Sequence, residues 1–384
     1  MNILILDFEC TTSNKGNPFD QTNRAVCLGL RWLGLGTYVS YFNTIAWKQD
    51  IQGAVDKANI LVAFNAKFDL HWLRKIGIDF SGKRIWDCQL AEFILNNQKT
   101  PYPSLDQAAE KYGFPKKLDI VKTEYWDKGI DTPDIPREIL TEYCGYDLEL
   151  TEQVFLKQQE IFRTDKRYAL FKLQCLDLLV LEKMGWNGIK FETDNARIRA
   201  GEIKSQLEAI HRNLIHLIGD VPFNLSSGDH ISCILYGGTI FIDTRIPVGV
   251  YKSGTKEGQT RYKIITKDYQ LPRLCEPLEG TEVKKPEGSQ PIWKTNEDVL
   301  KTIKLNSKSR KIVELIKEYT KLEKLRGTYL EGWSNLIDTM HWPKDTIHGN
   351  LNQCVAITGR LSSTKPNLQN ADPETKIFCT SRYL

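Results

Sequence analysis

Ile3-Leu4-Ile5-Leu6-Asp7-Phe8-Glu9 is the stretch on which the reading of this chain turns. An unbroken apolar run leading into an acid–aromatic–acid triplet predicts a buried strand over Ile3–Phe8. Side chains alternate faces along a strand, so Asp7 and Glu9 point the same way while Phe8 enters the core. Two carboxylates held that close repel each other unless a cation sits between them. Hard divalent ions such as magnesium take oxygen ligands of this kind. Asp-x-Glu is common by chance, so its meaning depends on the acids elsewhere in the chain.

Beyond this strand, strand and helix signals alternate to about residue 150. Ala25–Leu33 and Thr37–Phe42 read as strands joined by the turn Gly34-Leu35-Gly36, and Ile60–Phe64 as another buried strand. Helices are expected over Ile51–Lys57, Phe68–Ile76, Asp87–Asn96, Ser104–Tyr112 and Pro136–Phe162, a mixed α/β pattern. Two more acidic clusters ride on it. Asn65-Ala66-Lys67-Phe68-Asp69 sets Asp69 at a helix start, where capping alone also explains a carboxylate. Tyr143-Cys144-Gly145-Tyr146-Asp147 lies on a helix, and Tyr143 and Asp147, four apart, share a face.

The chain has 384 residues, which suggests two or three domains, and its 41% hydrophobic and 10% aromatic content supports real cores. No apolar run approaches the roughly 18 residues of a membrane helix, and Met1 is not followed by the basic start of a signal peptide. No membrane partner and a cytoplasmic location are therefore expected. The nine cysteines are scattered without a Cys-x-x-Cys pair, which suits free thiols in a reducing compartment and argues against structural zinc. The net charge of +4 is uneven: residues 1–150 hold 17 basic and 20 acidic side chains, the remainder 35 and 28. The acidic part holds the candidate metal site; the basic part suits a polyanion.

From about residue 165 the texture turns helical. Ile203, Leu207, Ile210, Leu214 and Leu217 recur at helical spacing, as do Ile312, Leu315, Tyr319, Leu322, Leu325 and Tyr329. The two helices are expected to pack as an antiparallel pair. The second also carries Lys308, Arg310, Lys311, Lys317, Lys321, Lys324 and Arg326, either a solvated face or a phosphate-tracking one. Between them, 237–300 is rich in Gly, Pro and Lys and reads as an inserted hairpin with irregular flanks, Thr260–Thr266 being one strand.

The three acidic clusters, in this order, resemble the proofreading exonucleases of the DEDD superfamily, tyrosine subtype. That resemblance implies a ribonuclease-H-like α/β fold and phosphodiester hydrolysis with two divalent ions, Mg²⁺ with Mn²⁺ as a substitute. It implies that Asp7, Glu9 and Asp147 hold one ion, that Asp7 also reaches the second near Asp69, and that Tyr143 helps orient the attacking water. Asn65 becomes a candidate contact to the DNA. No histidine is required, and none of the six lies in these clusters.

Further on, Thr358-Gly359-Arg360-Leu361-Ser362-Ser363 and Pro366-Asn367-Leu368-Gln369-Asn370 resemble a signature of the family A DNA polymerases, the bacterial DNA polymerase I type, closest to phage members. Phe223-Asn224-Leu225-Ser226-Ser227 and Lys321-Leu322-Glu323-Lys324-Leu325 resemble the thumb of that family. The resemblance implies Arg360, Asn367 and Gln369 as contacts to the duplex minor groove, whose acceptors are nearly independent of sequence. Asp268-Tyr269 only mimics a palm motif, lies in the insert, and is assigned no catalytic role.

The expected organisation is a 3′–5′ exonuclease domain over 1–164, a thumb-like helical domain over 165–340, and the start of a palm over 341–384. The chain stops at Ser381-Arg382-Tyr383-Leu384, about where the palm's catalytic strand is expected, so a second polypeptide carrying palm and fingers is the expected partner of a split or truncated polymerase. It is expected to complete a sheet begun by residues 345–380. DNA, at a primer or single-stranded 3′ end, is the expected substrate. The alternatives are a stand-alone exonuclease on DNA or RNA, and a DNA-binding or processivity module without catalysis.

Overall fold

The computed structural model describes residues 2–42 and 46–381; the last three residues of the expected palm start lie outside that range. In chain order, β1 (Ile3–Cys10), β2 (Ala25–Trp32) and β3 (Thr37–Tyr41) are followed by α1 (Trp47–Lys57), β4 (Ile60–Ala63), α2 (Ala66–Lys75), β5 (Arg84–Asp87) and α3 (Cys88–Leu95). Next come α4 (Leu105–Tyr112), α5 (Ile120–Glu124), α6 (Arg137–Phe162), α7 (Tyr168–Asn187), β6 (Ile189–Phe191), α8 (Thr193–Ile218) and α9 (Gly228–Tyr236). The hairpin strands β7 (Gly238–Val250) and β8 (Thr260–Leu271) lead to α10 (Glu297–Thr302) and α11 (Ser307–Glu323), then a π-helical stretch to Leu330 and α12 (Glu331–Thr339). The chain closes with β9 (Thr346–Ile347), β10 (Asn350–Asn352), β11 (Ser362–Thr364), α13 (Pro373–Ile377) and β12 (Cys379–Thr380).

Contacts divide the chain into a first unit, Met1–Thr193 with Trp333–Leu384, and a second, Asp194–Gly332. The break expected at residue 164 falls inside the first unit. The reason lies in α7: Phe171, Cys175 and Leu178 are buried in the same core as the strands, and Glu182, buried, takes two 2.8 Å hydrogen bonds from the Arg74 guanidinium of α2.

The first unit is built on a five-stranded sheet in the order β3-β2-β1-β4-β5. β1 is central, antiparallel to β2 and parallel to β4. Its apolar run explains the position: Ile3, Leu4, Ile5, Leu6 and Phe8 are all buried, as strands covered on both faces require. Helix α6 packs along β1, β2 and β3. Its approach depends on Gly29, opposite Asp7 in the β1–β2 pairing; a Cβ there would lie 2.5 Å from both Cys144 Sγ and Leu148 Cδ1. The sheet expected to begin in 345–380 is instead three short strands in the order β12-β6-β9, with residues 189–191 in the middle. β10 and β11 form a separate hairpin.

In the second unit the two long helices do not pair alone. Ile210 and Leu214 of α8 and Ile312, Val313 and Ile316 of α11 share one apolar cluster with α9, Ile240 and Leu271. Helix α9, absent from the sequence reading, starts at an N-cap in which the Ser227 side chain accepts from the His230 N–H. Asp268 and Tyr269 sit on β8, opposite Phe241 and Ile240.

Candidate active site

Three elements bring the acidic clusters together. β1 supplies Asp7 and Glu9 on one face. Helix α2 supplies Asp69, whose Oδ1 accepts the Phe8 backbone N–H at 3.2 Å, tying it to the strand between the two acids. Helix α6 supplies Tyr143 and Asp147 one turn apart, both buried. Glu9, Asp69 and Asp147 are likewise buried.

Asn65 adopts a left-handed φ of +68° at the N-terminus of α2, a region in which Asn is tolerated. Asp87 holds this corner, accepting from the Asn65 and Ala66 backbone N–H groups at 3.2 and 3.0 Å while capping α3 through Gln89 and Leu90. Asn65 itself is exposed and lines a cavity of about 340 Å³, with Lys67, Asn352 and Lys365 among its other walls. None of the four carboxylates lines that cavity.

The electrostatics of the cluster are strained. Burial, then the Asp147 charge, raises the Asp7 carboxyl to about 7, with Lys117 pulling the other way. Burial and then Asp7 hold Glu9 well above the usual carboxylate range. The same two causes raise Asp69, against the Phe8 N–H. Burial raises Asp147 despite Lys117, and burial with the Asp147 charge raises the Tyr143 phenol. Asp147 Oδ1 is buried with no hydrogen-bond partner. Buried carboxylate oxygens left open in this way suit a cation.

Oxygen donors of Asp7 and Glu9 and Cys144 Sγ lie within 4.8 Å of one another. The Cys144 thiol stays protonated, its pKa raised well above the ordinary value by a hydrogen bond with Cys27 and by burial, and it is too soft for a hard divalent ion. The Asp7 and Glu9 oxygens, not the thiol, are the donors there that suit a hard divalent ion.

Sequence reasoning missed Lys117. The loop after α4, pinned by a 2.9 Å hydrogen bond from the Lys117 N–H to Asp106 Oδ1, sends this side chain into an ion pair with Asp147 Oδ2. Its ammonium also lies 5.3 Å from the centroid of the Tyr143 ring. Burial works against the charge, but Asp147, Tyr143 and Asp7 hold it above the ordinary lysine value. Lys116-Lys117 carries no periodic signal, and only the folded loop shows which lysine turns inward.

The polymerase-like residues are surface features. Arg360 is exposed in the loop joining β10 to β11. Asn367 is exposed, but its Oδ1 accepts the Gln369 and Asn370 N–H groups at 3.2 and 3.3 Å, so its amide NH₂ is the group left to face outward; Gln369 is exposed. Lys67 of α2 donates to Asn350 Oδ1 at 2.6 Å and to the Leu351 carbonyl, joining this hairpin to the helix that carries Asp69.

Comparison with known proteins gives two family matches: a 3′-5′ exonuclease over residues 37–162 and DNA polymerase family A over residues 263–382. The first contains Asp69, Tyr143 and Asp147 and begins after Asp7 and Glu9. DNA polymerase I of Bacillus subtilis (strain 168) is 27% identical over 310 residues, 80% of this chain and 29% of that protein. DNA polymerase DpoZ of Salmonella phage PMBT28 is 24% identical over 371 residues, 89% of this chain and 51% of that protein. The chain thus spans about half or less of these relatives. Among solved structures, the POL domain of Pol1 from M. smegmatis, in complex with DNA primer-template and dNTP, matches with a TM-score of 0.63 at 17% identity, covering 98% of this chain and 53% of that one. That likeness establishes the fold.

Proposed function

Because this chain belongs with the family A DNA polymerases and carries a 3′-5′ exonuclease domain and part of a polymerase domain, we propose that it removes nucleotides from DNA 3′ ends in a metal-dependent proofreading reaction. The observation that carries this is the convergence of Asp7, Glu9, Asp69 and Asp147 from three elements, with Asp147 Oδ1 buried and open. Asp7, Glu9 and Asp147 would hold one divalent ion, and Asp7 and Asp69 would face a second. When bound, the ions supply a water of lowered pKa and charge neutralisation at the leaving oxygen. Tyr143, packed edge-on against Trp126 with ring centroids 6.0 Å apart, would orient the attacking water through its hydroxyl. Lys117, paired with Asp147 and 5.3 Å from the Tyr143 ring centroid, would position both. Asn65 would meet the strand end as it reaches α2.

The test is release of mononucleotides from single-stranded DNA with a free 3′ end. Digestion should need Mg²⁺ or Mn²⁺, stop in chelator, and disappear in Asp7→Ala while DNA affinity persists. Digestion that survives in Asp7→Ala would overturn the metal assignment; a preference for matched RNA would favour an RNA-trimming exonuclease.

The family A match over 263–382 favours a second, compatible role as the primer-holding part of a polymerase, with Arg360, Asn367 and Gln369 against the minor groove and the second unit, 194–332, as thumb. Polymerisation would then call on palm and fingers supplied by further sequence, in this polypeptide or in a second one as in a split enzyme. Co-purification of such a polypeptide with this chain tests the split form.

A further inference from the structure

We infer that the β7–β8 ribbon is an arm that binds duplex DNA through one cationic face; the inference rests on the proposed reading of this chain as a DNA-processing enzyme. The ribbon is anchored at its base, where Ile240 and Leu271 are buried in the core of the second unit. Beyond Ile242 it leaves that core. Residues 243–250 and 260–268 are all exposed, and the two strands pair only with each other. At about 3.3 Å per residue the free part reaches roughly 25 Å. A two-stranded ribbon in water is marginal by itself and gains no stability from exposing apolar side chains such as Ile246, 41% exposed, and Ile265, 38% exposed, which share the face described next.

Register decides what the faces carry. Ile242 pairs with Lys267 and Ile246 with Lys263, and period-two alternation adds Arg261 to the same face. That face has three cations, aliphatic side chains between them, and no acid. The opposite face holds Asp243 and Asp268 with Arg245, and there the Thr266 hydroxyl donates to Asp243 Oδ1 at 2.6 Å. Charge is therefore sorted by face, although the ribbon's composition is mixed. Arg261, Lys263 and Lys267 have no carboxylate partner among the described residues. Along the strand Arg261 and Lys263 stand about 7 Å apart and Lys263 and Lys267 about 13 Å, with Ile265 between them, all in one row. A two-stranded ribbon fits the major groove, about 12 Å wide, where such a row can follow the phosphates without reading sequence. The occupant is therefore the duplex that extends from the primer end, and the aliphatic side chains between the cations lie against its sugars and base edges.

The experiment measures affinity of the whole chain for a blunt duplex as salt is varied. In Arg261→Gln/Lys263→Gln/Lys267→Gln, affinity at low salt should fall by tenfold or more, and the slope of log K against log salt should shrink by about 2–3, from roughly 0.9 per phosphate released. Arg261→Lys should keep the wild-type slope, and Asp243→Asn/Asp268→Asn on the other face should not weaken binding. Digestion of a short single strand, measured on the same samples, reports that the variants are folded and tests the nuclease reading separately. An unchanged affinity and slope in the triple variant overturns the arm, including the case in which its cations serve an acidic protein instead.

Discussion

In the first unit Glu92, Glu152 and Glu182 are buried and fully engaged. Glu92 takes Lys111 and the Tyr112 hydroxyl, each at 2.6 Å; Glu152 takes Arg31 and the Gly34 N–H; Glu182 takes both arms of Arg74. Glu9, Asp69 and Asp147 are buried as deeply, yet Asp69 is given one strand N–H and Asp147 one lysine, with an oxygen left open. In the second unit the buried polar side chains among the described residues are Ser232, Thr281 and Ser309, none of them charged. Burial alone therefore does not mark a site, because structural acids are buried too. The mark is burial without enough partners, since each unpaired lone pair in a low-dielectric interior costs free energy unless a ligand meets it. A unit that keeps its charges outside suits long, screened contacts with a polyanion; one that buries them under-partnered suits chemistry.

The contrast fails most visibly if its central acid is dispensable. Asp7→Ala should lower digestion about 1000-fold, roughly 4 kcal/mol of barrier, with DNA affinity retained in a filter-binding assay. Gly29→Val asks whether the approach of α6 matters: the added side chain meets Cys144 and Leu148, so a stability loss of about 1–3 kcal/mol is expected. Digestion should fall further than that loss of folded protein explains, because Tyr143 and Asp147 move with the helix. Lys117→Met removes the ammonium that faces the cluster. Its side chain is 27% exposed, so the cost in chelator should be about 1–2 kcal/mol, less than for a fully buried pair. Mg²⁺ affinity, read by calorimetry, should rise, because the ion no longer competes with an ammonium for Asp147. Unchanged metal affinity would detach Lys117 from the site.

The smallest effect is a pH slope. The Asp7 carboxyl, raised to about 7 in the folded metal-free protein, stabilises the fold as the neutral acid. That contribution is complete below the unfolded value near 4 and is lost as pH rises through 7. Urea unfolding in chelator should show stability falling across that window, with a shallower fall in Asp7→Asn and compensation by Mg²⁺ at the upper end. A stability that rises across it would contradict the under-partnered cluster.

Much of this was legible in the sequence, and the reasons are local. An apolar run and an alternating triplet specify β1; a four-residue spacing specifies the face that Tyr143 and Asp147 share. Their order along the chain suggests a shared pocket. What stayed hidden depends on loops and packing. Lys117 is recruited by a loop held at Asp106, a contact with no periodicity. Helix α7 looks like the start of a helical domain, and only its buried Phe171 and Glu182 tie it to the sheet. The strands β6, β9 and β12 are two or three residues long, too short to leave an alternating pattern. In the ribbon the composition is readable but the sorting of charge is not, because it depends on which residue of β7 faces which of β8.

The second unit departs after β6 and returns before β9, neighbouring strands of one small sheet, and the Thr193 N–H reaches Asp345 Oδ1 at 3.2 Å across that doorway. The polypeptide thus leaves and re-enters through a single gap. A protease cut at the ribbon tip would sever the backbone without freeing either half, since strand pairing bridges the seam. Conversely, excising 194–332 and splicing its ends with a short turn should yield a first unit that folds independently, seen as one cooperative urea transition, so the two units are separable by genetics even though the chain threads them as one.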